Sequence, residues 1–305
     1  MEIEKALLGL GFYVMSKFYK ISIGAAQFGM TYSLGASKKI TESEVKNILS
    51  YAEEMGISSI DTASSYGSSE KVLGKIGIKN WNVTSKLSSV PFDCKNIKSW
   101  INNETKKTLE NLNIERIDSL LLHRPNQLFS DTGDEIYSAL EELKKEGFIK
   151  KHGISLYSNE EIDKYLELYD FDILQTPCNI LDRNIIDSGA AENYKKQGKI
   201  IQARSVFLQG LLLSHKHQNS KKFIRWKPLW DQFNAWIGDK EISPLKACIN
   251  YVYSQNDIDK LIIGIMSQSQ LKEILNSIDA INLEIPKFIF EDKEILTNPS
   301  NWNSL

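Results

Sequence analysis

The scarcities in this sequence narrow its options first. Three cysteines, Cys94, Cys178 and Cys248, lie far apart and are odd in number. They build neither a disulfide framework nor a zinc spacing, which points to a reducing, cytoplasmic setting. An excess of one charge is missing as well: 37 basic against 39 acidic residues leave a net charge of -2. Such balance offers no electrostatic footprint for nucleic acid or an acidic membrane surface. Long apolar runs are absent, and the run over residues 6–15 is too short to span a bilayer. Because that run follows Glu2 and Glu4 and precedes no small-residue cleavage site, residues 1–18 read as an extension or surface helix rather than a signal peptide. No linker rich in Pro, Gly or Ser divides the 305 residues, and no GxGxxG opens the first unit, which argues against an open dinucleotide-binding sheet.

What the chain does contain, from residue 20 onward, is an alternation of short apolar runs with longer amphipathic ones, the pattern of a parallel sheet with helical crossovers. Strands are expected at 20–26, 58–61, 82–86, 119–123, 151–155, 172–177, 200–205 and 261–265. Between them SEVKNILSYAEEMG closes on Gly56 and GDEIYSALEELKKEG on Gly147, each glycine placed as a helix C-cap. In the second stretch Ile136, Ala139, Leu140 and Leu143 form one apolar stripe. Eight strand–helix units in one undivided chain define an α/β fold, a single-domain (β/α)8 TIM barrel over residues 19–285 with a tail over 286–305. The segment 207–243, after the seventh strand, reads as a long irregular loop on the catalytic face, and the stretch DKEILTNPSNWNSL, residues 292–305, reads as extended coil.

Barrel sites are built at the C-terminal ends of strands. Three consecutive units end in ionisable groups: SSID in Asp61, NVTSK in Lys86 and SLLLH in His123, with Tyr66 in the loop after Asp61. A free phenol has a pKa of about 10, too high for easy proton exchange near neutrality. The Lys86 ammonium is expected to lower it, with Asp61 holding the lysine charged. Tyr66 then protonates a forming alkoxide while His123 orients the same oxygen, which describes an acid catalyst for carbonyl reduction. No cluster of metal ligands is needed for such chemistry.

These residues sit in QFG, IDTASSYGSSEKVLG, TSKL, LLHRP, GIS, LQTPCN, RSVFLQGLLL and IIGIMSQSQLKEIL, and with them the chain resembles the aldo-keto reductase family from about Tyr19 to about Ile278. The resemblance implies a barrel that uses a nicotinamide cofactor, with the Asp/Tyr/Lys/His tetrad falling on Asp61, Tyr66, Lys86 and His123. It implies nicotinamide contacts from Ser155 and Gln175. Leu156 stands where the family often has Asn, so Asn179 becomes a candidate replacement. Arg204, followed by Ser205, stands where many members carry a ring-stacking aromatic; its plane can stack too, or it can pair with a carboxylate and face away. In the last unit Gly264, Met266, Ser267 and Gln270 match the phosphate-holding turn, with Gln270 at the position of an arginine and Lys272 two places on. The resemblance thus implies NADP(H) ahead of NAD(H), with the missing arginine drawing toward NAD(H). The partner it implies is a small carbonyl substrate, sugar-derived ones included.

Two rival readings stay open: a cofactor-binding regulatory or accessory subunit, motivated by Leu156, Arg204 and Gln270, and a cofactor-free lyase or isomerase using Tyr66 and Lys86. Among other features, His215 and His217 read as solvated loop, and His152 as facing a helix. Gln27, Phe28 and Tyr32 are placed to line the cleft or to pack a loop. Trp226, Trp230 and Trp236 either wall a substrate or pack the long loop onto the barrel.

Overall fold

The computed structural model describes residues 17–32, 34, 39–157, 161–279 and 283–305, apart from the side chains of 303 and 304. The apolar run over 6–15 lies outside the described residues. Eight parallel strands close in sequence order into a barrel: β1 (Ile21–Gly24), β2 (Ser59–Asp61), β3 (Asn82–Leu87), β4 (Ile117–Leu122), β5 (Ile149–Ser155), β6 (Ile173–Pro177), β7 (Ile200–Arg204) and β8 (Lys260–Gly264). The closing seam pairs β1 with β8 from Ile21↔Leu261 to Gly24↔Gly264. All eight expected strands form, with ends that shift by a residue or two. Around them run α1 (Glu42–Glu54), α2 (Ser69–Ile76), α3 (Ile97–Leu112), α4 (Gly133–Lys145), α5 (Ile162–Leu168), α6 (Ala190–Lys196), α7 (Pro244–Tyr253) and α8 (Gln268–Asn276).

Local sequence explains these elements. β1 and β6 are buried along their whole length, as strands covered by helices on one side and by the barrel interior on the other must be. The helices turn a single stripe inward; in α4 it consists of Ile136, Ala139, Leu140 and Leu143, as the spacing requires. Side chains cap several N-termini: Thr41 accepts from Glu44 N, Asn96 from Ser99 N, Ser243 from Lys246 N and Ser267 from Gln270 N. Each such cap is worth about 1 kcal/mol. Gly56 and Gly147 follow α1 and α4 with positive φ, the C-cap geometry expected of them.

Two expectations change. The segment 207–243 is not an irregular loop, since it holds a helix at Lys227–Asp239 and shorter turns. Trp230 is buried with its Nε1 donating to Phe223 O, and Trp226 is buried with its Nε1 donating to Glu291 O. Both therefore pack this segment onto the molecule rather than wall a substrate, because an indole buried on all sides has no face to offer a ligand. Residues 286–292 carry no helix or strand, but the rest of the tail is not extended coil: it holds a short helix, Lys293–Thr297, and a 3-10 turn, Pro299–Ser304. It is held by Trp302, whose ring lies 4.8 Å from that of Phe223. His152, as expected, faces a helix: it is fully buried and its Nε2 meets Glu141 of α4.

Candidate active site

Asp61 ends β2, Lys86 stands one residue before the end of β3, and His123 follows β4 directly, so neighbouring strands deliver the three to one end of the barrel. Lys86 and Asp61 are buried, at 1% and 4% exposure. Such burial is tolerable only for a pair, because an isolated charge there costs several kcal/mol, on the order of 3–5 when one partner is removed. Lys86 Nζ lies 2.5 Å from Asp61 Oδ1 and 2.9 Å from Thr62 O. Burial pulls the Lys86 pKa below the ordinary lysine value, while Asp61 opposes that pull by charge and hydrogen bond.

The second carboxylate oxygen is also committed. Gln175 Nε2, from β6, donates to Asp61 Oδ2 at 2.7 Å and to Gln202 Oε1 of β7 at 3.0 Å. Ser155 Oγ donates to Gln175 Oε1 at 3.1 Å, and Gln202 Nε2 reaches Thr84 Oγ1 at 3.4 Å. A polar layer drawn from five strands thus fixes Asp61, and through it Lys86. Gln202 escaped the sequence reading, although a lone amide in the apolar run IIQAR is the signal that would have found it.

Tyr66 is positioned by a different device. Its backbone forms a turn, with Tyr66 N donating to Ala63 O and Ser69 N to Tyr66 O. That turn lies against Gly29, just after β1, so closely that a Cβ on Gly29 would fall 1.8 Å from Tyr66 O and 2.3 Å from Ser69 N. Only glycine allows this approach. Ser69 Oγ ties the same turn to Ala25 O at 2.8 Å. The Tyr66 ring centroid sits 5.1 Å from Lys86 Nζ and 5.7 Å from the His123 ring, which it meets edge to face at 84°. The expected lowering of the phenol's pKa is reversed. Burial raises it above the ordinary tyrosine value, Asp61 raises it further, and Arg204 pulls it down only in part. The distance from water outweighs the nearby cations.

His123 is half-buried, and its Nδ1 is 3.1 Å from Ser65 Oγ. Burial, then the charges of Lys86, Arg204 and Arg124, push its pKa down to about 3. The ring is therefore neutral near pH 7.

Of the residues expected at a cofactor, Ser155 and Gln175 join the tetrad's hydrogen-bond layer. Asn179, the candidate for the missing Asn, is fully buried; it accepts from the Leu181 and Asp182 amides and donates to Ser205 O. These bonds stitch the ends of β6 and β7 together and use both lone pairs of the amide oxygen and one of its two N–H donors. Arg204, at the end of β7, has no carboxylate partner among the described residues. Instead its Nη2 donates to Leu156 O at 2.5 Å, its Nη1 reaches Ser205 Oγ at 3.2 Å, and its plane lies 4.5 Å over the Tyr157 ring. Leu156 and Arg204 are thus in direct contact.

The turn after β8 is built around its own side chains. Ser267 caps α8 by accepting from Gln270 N, and Gln270 Oε1 accepts from Met266 N at 2.8 Å. Gln268 N donates to Glu44 Oε1 of α1 at 2.7 Å, so a carboxylate already sits on an amide at this helix N-terminus. Gly264 is backed by Gln27, whose Nε2 would lie 2.4 Å from any added Cβ.

A profile of the Aldo/keto reductase family matches residues 20–291, and the chain belongs to that family. Its members are oxidoreductases that in general use NAD(P)(H). The chain is 28% identical over 196 residues to aldo-keto reductase YhdN of Bacillus subtilis, spanning 59% of this chain and 56% of that protein. It is 24% identical over 278 residues to the NADH-specific methylglyoxal reductase of Escherichia coli, spanning 77% of this chain and 81% of the relative. In fold it resembles the holo form of aldo-keto reductase AKR11C1 from Bacillus halodurans, with a TM-score of 0.67 at 20% identity over 90% of this chain and 95% of that one. Glycerol dehydrogenase AKR11B4 from Gluconobacter oxydans gives 0.65 at 20% identity over 91% and 90%.

Proposed function

We propose that this chain is a nicotinamide-dependent carbonyl reductase in which Tyr66 is the proton donor. The observation that carries this reading is the convergence of a buried Lys86–Asp61 pair, the Tyr66 ring 5.1 Å from the ammonium and a neutral His123 beside that ring. When bound, the nicotinamide supplies the hydride that reaches the carbonyl carbon. The chain's own residues then handle the oxygen. Tyr66, kept protonated by burial and by Asp61, surrenders its proton only to a strong base such as an alkoxide, so the proton arrives as the oxyanion forms. Lys86, fixed by Asp61 and Thr62 O, stabilises the phenolate left behind. Ser65 Oγ and His123 Nδ1 share a hydrogen bond, and in the tautomer whose Nδ1 accepts from Ser65 the proton stands on Nε2, where it can be directed at the substrate oxygen.

Ser155 and Gln175 fit the amino group of a carboxamide, since the lone pairs of the serine oxygen and the second lone pair of Gln175 Oε1 remain available as acceptors. At the far end, Gln268 N facing Glu44, with Gln270 in place of an arginine, fits NADH better than NADPH, because a carboxylate repels a 2′-phosphate that has no charged partner. The Escherichia coli relative's NADH specificity points the same way and brings methylglyoxal into the substrate panel.

The test compares wild type with Tyr66→Phe. Both proteins should bind NADH, followed by tryptophan fluorescence, while turnover of a carbonyl panel containing methylglyoxal should fall by about 10²-fold or more in the variant. Full activity in Tyr66→Phe overturns the proton-donor assignment. Binding without turnover in wild type favours the accessory-subunit reading, and failure to bind either nicotinamide removes the reductase reading altogether.

A further inference from the structure

Among the described residues, charge at the barrel mouth does not balance. Asp61 is the carboxylate that acts on Tyr66 and Lys86, and both its oxygens are engaged, one by Lys86 and the other by Gln175. Tyr66 has a pKa above the ordinary phenol value, first because of burial, so it is not an anion near neutrality. His123 is neutral there too. Arg204 acts electrostatically on Tyr32, Tyr66, Lys86 and His123 alike, which places its charge at this same mouth.

Its guanidinium is held rigidly but not neutralised. Nη2 donates to Leu156 O, Nη1 to Ser205 Oγ, and Tyr157 supports its face at 4.5 Å. A guanidinium carries five N–H donors in a fixed fork, so donors remain without a protein acceptor among the described residues. A half-buried cation with no carboxylate partner among the described residues is costly to fold around. Here it is pre-oriented by a carbonyl, a hydroxyl and a ring, the arrangement that lowers the ordering cost of bidentate anion recognition.

We infer that Arg204 recognises an anionic group on the substrate, so that the carbonyl compound reduced at this site carries a carboxylate or a phosphate. The inference rests on the reductase reading for the word substrate, but its physical content is an anion subsite beside Tyr66. Succinate and inorganic phosphate, which carry no reducible carbonyl, probe that content alone. Two aldehyde pairs probe it in turnover: succinic semialdehyde against butyraldehyde, and glyceraldehyde 3-phosphate against glyceraldehyde.

The experiment measures calorimetric binding of succinate and of phosphate to the enzyme loaded with its tighter-binding nicotinamide, and kcat/KM for both pairs. It uses wild type, Arg204→Gln and Arg204→Lys, with thermal melts to establish that each variant is folded. Wild type should bind at least one anion and prefer the charged member of the matching pair, mainly through KM. Arg204→Gln should weaken the anion and cut the preference by about 30-fold, the loss expected for one charge-assisted contact. Arg204→Lys should keep part of both, since it retains the charge without the fork. Which pair responds distinguishes carboxylate from phosphate. No anion binding and no charged-member preference in wild type overturn the inference. So does weakened cofactor binding in Arg204→Gln with the preference intact, which would give Arg204 to the cofactor. Anion binding that depends on Arg204, with no aldehyde reduced at all, would sink the reductase reading and leave the subsite standing.

Discussion

Gln175 Nε2 lies 2.7 Å from Asp61 Oδ2, on the oxygen that the Lys86 ammonium does not use. A carboxylate on β2 is thereby fixed from β3 on one side and from β6 across the barrel on the other. Asp61 is consequently held in one orientation, and so is the lysine that depends on it.

Removing one member of this buried pair should cost far more than removing both. Lys86→Met leaves Asp61 charged, buried and short of its cation, with an expected loss of about 3–5 kcal/mol in urea unfolding. The double variant Asp61→Asn, Lys86→Met should regain part of that loss while showing no better turnover than the single variant. A double variant less stable than either single one would contradict the pairing.

Gly29→Ala tests how Tyr66 is held. With a Cβ 1.8 Å from Tyr66 O, the turn carrying the phenol must move. A displacement of about 1 Å at a reacting group can cost on the order of 10²-fold in rate. The expected outcome is a large fall in kcat with cofactor affinity changed much less, read by steady-state kinetics beside fluorescence titration. Equal losses in both would show that the turn supports the cofactor rather than the phenol.

The pH dependence of His123 has a definite sign. Burial, then Lys86 and Arg204, hold its folded pKa at about 3, below an unfolded value near 6.5. Between these values the unfolded chain binds more protons, so the residue's contribution to stability is full above about pH 6.5 and is lost progressively as pH falls toward 3. Imidazole NMR should find His123 neutral at pH 5. A midpoint above that pH would mean that the ring is better solvated than its surroundings indicate.

Glu44→Gln should shift cofactor choice. The Glu44 carboxylate occupies the Gln268 amide, and neutralising it removes repulsion toward a 2′-phosphate while keeping the side chain's length. NADPH affinity should rise by about 5- to 10-fold with NADH affinity nearly constant, in keeping with a contribution of about 1 kcal/mol at a helix terminus. Parallel changes for the two cofactors would show that Glu44 lies away from the phosphate.

The eight strands and the grouping of Asp61, Lys86 and His123 at one end of the barrel were legible because both depend on local pattern: apolar runs of strand length, three consecutive ones of which end on an ionisable residue. The direction of the Tyr66 shift was not legible. It is set by how much water the folded mouth excludes, and no sequence spacing records that. Asn179 illustrates a second limit, since its amide suits a ligand as well as a turn, and its bonds to the Leu181, Asp182 and Ser205 backbones depend on where the folded chain brings them. Trp226 and Trp230 were ambiguous for a similar reason, because an indole's partners, Glu291 O and Phe223 O here, come from wherever the chain returns.

The contact between Arg204 and Leu156 O also governs how this barrel can be re-engineered. An aromatic placed at 204 by itself would strip the donor from the Leu156 carbonyl and the cation from the face of Tyr157. The unsatisfied carbonyl alone would cost about 1–3 kcal/mol. Positions 156, 157 and 204 therefore behave as a single inherited block, and a designer seeking a different ring-stacking surface has to exchange the block whole, because a single change at 204 breaks the Leu156 and Tyr157 contacts together with whatever the guanidinium binds.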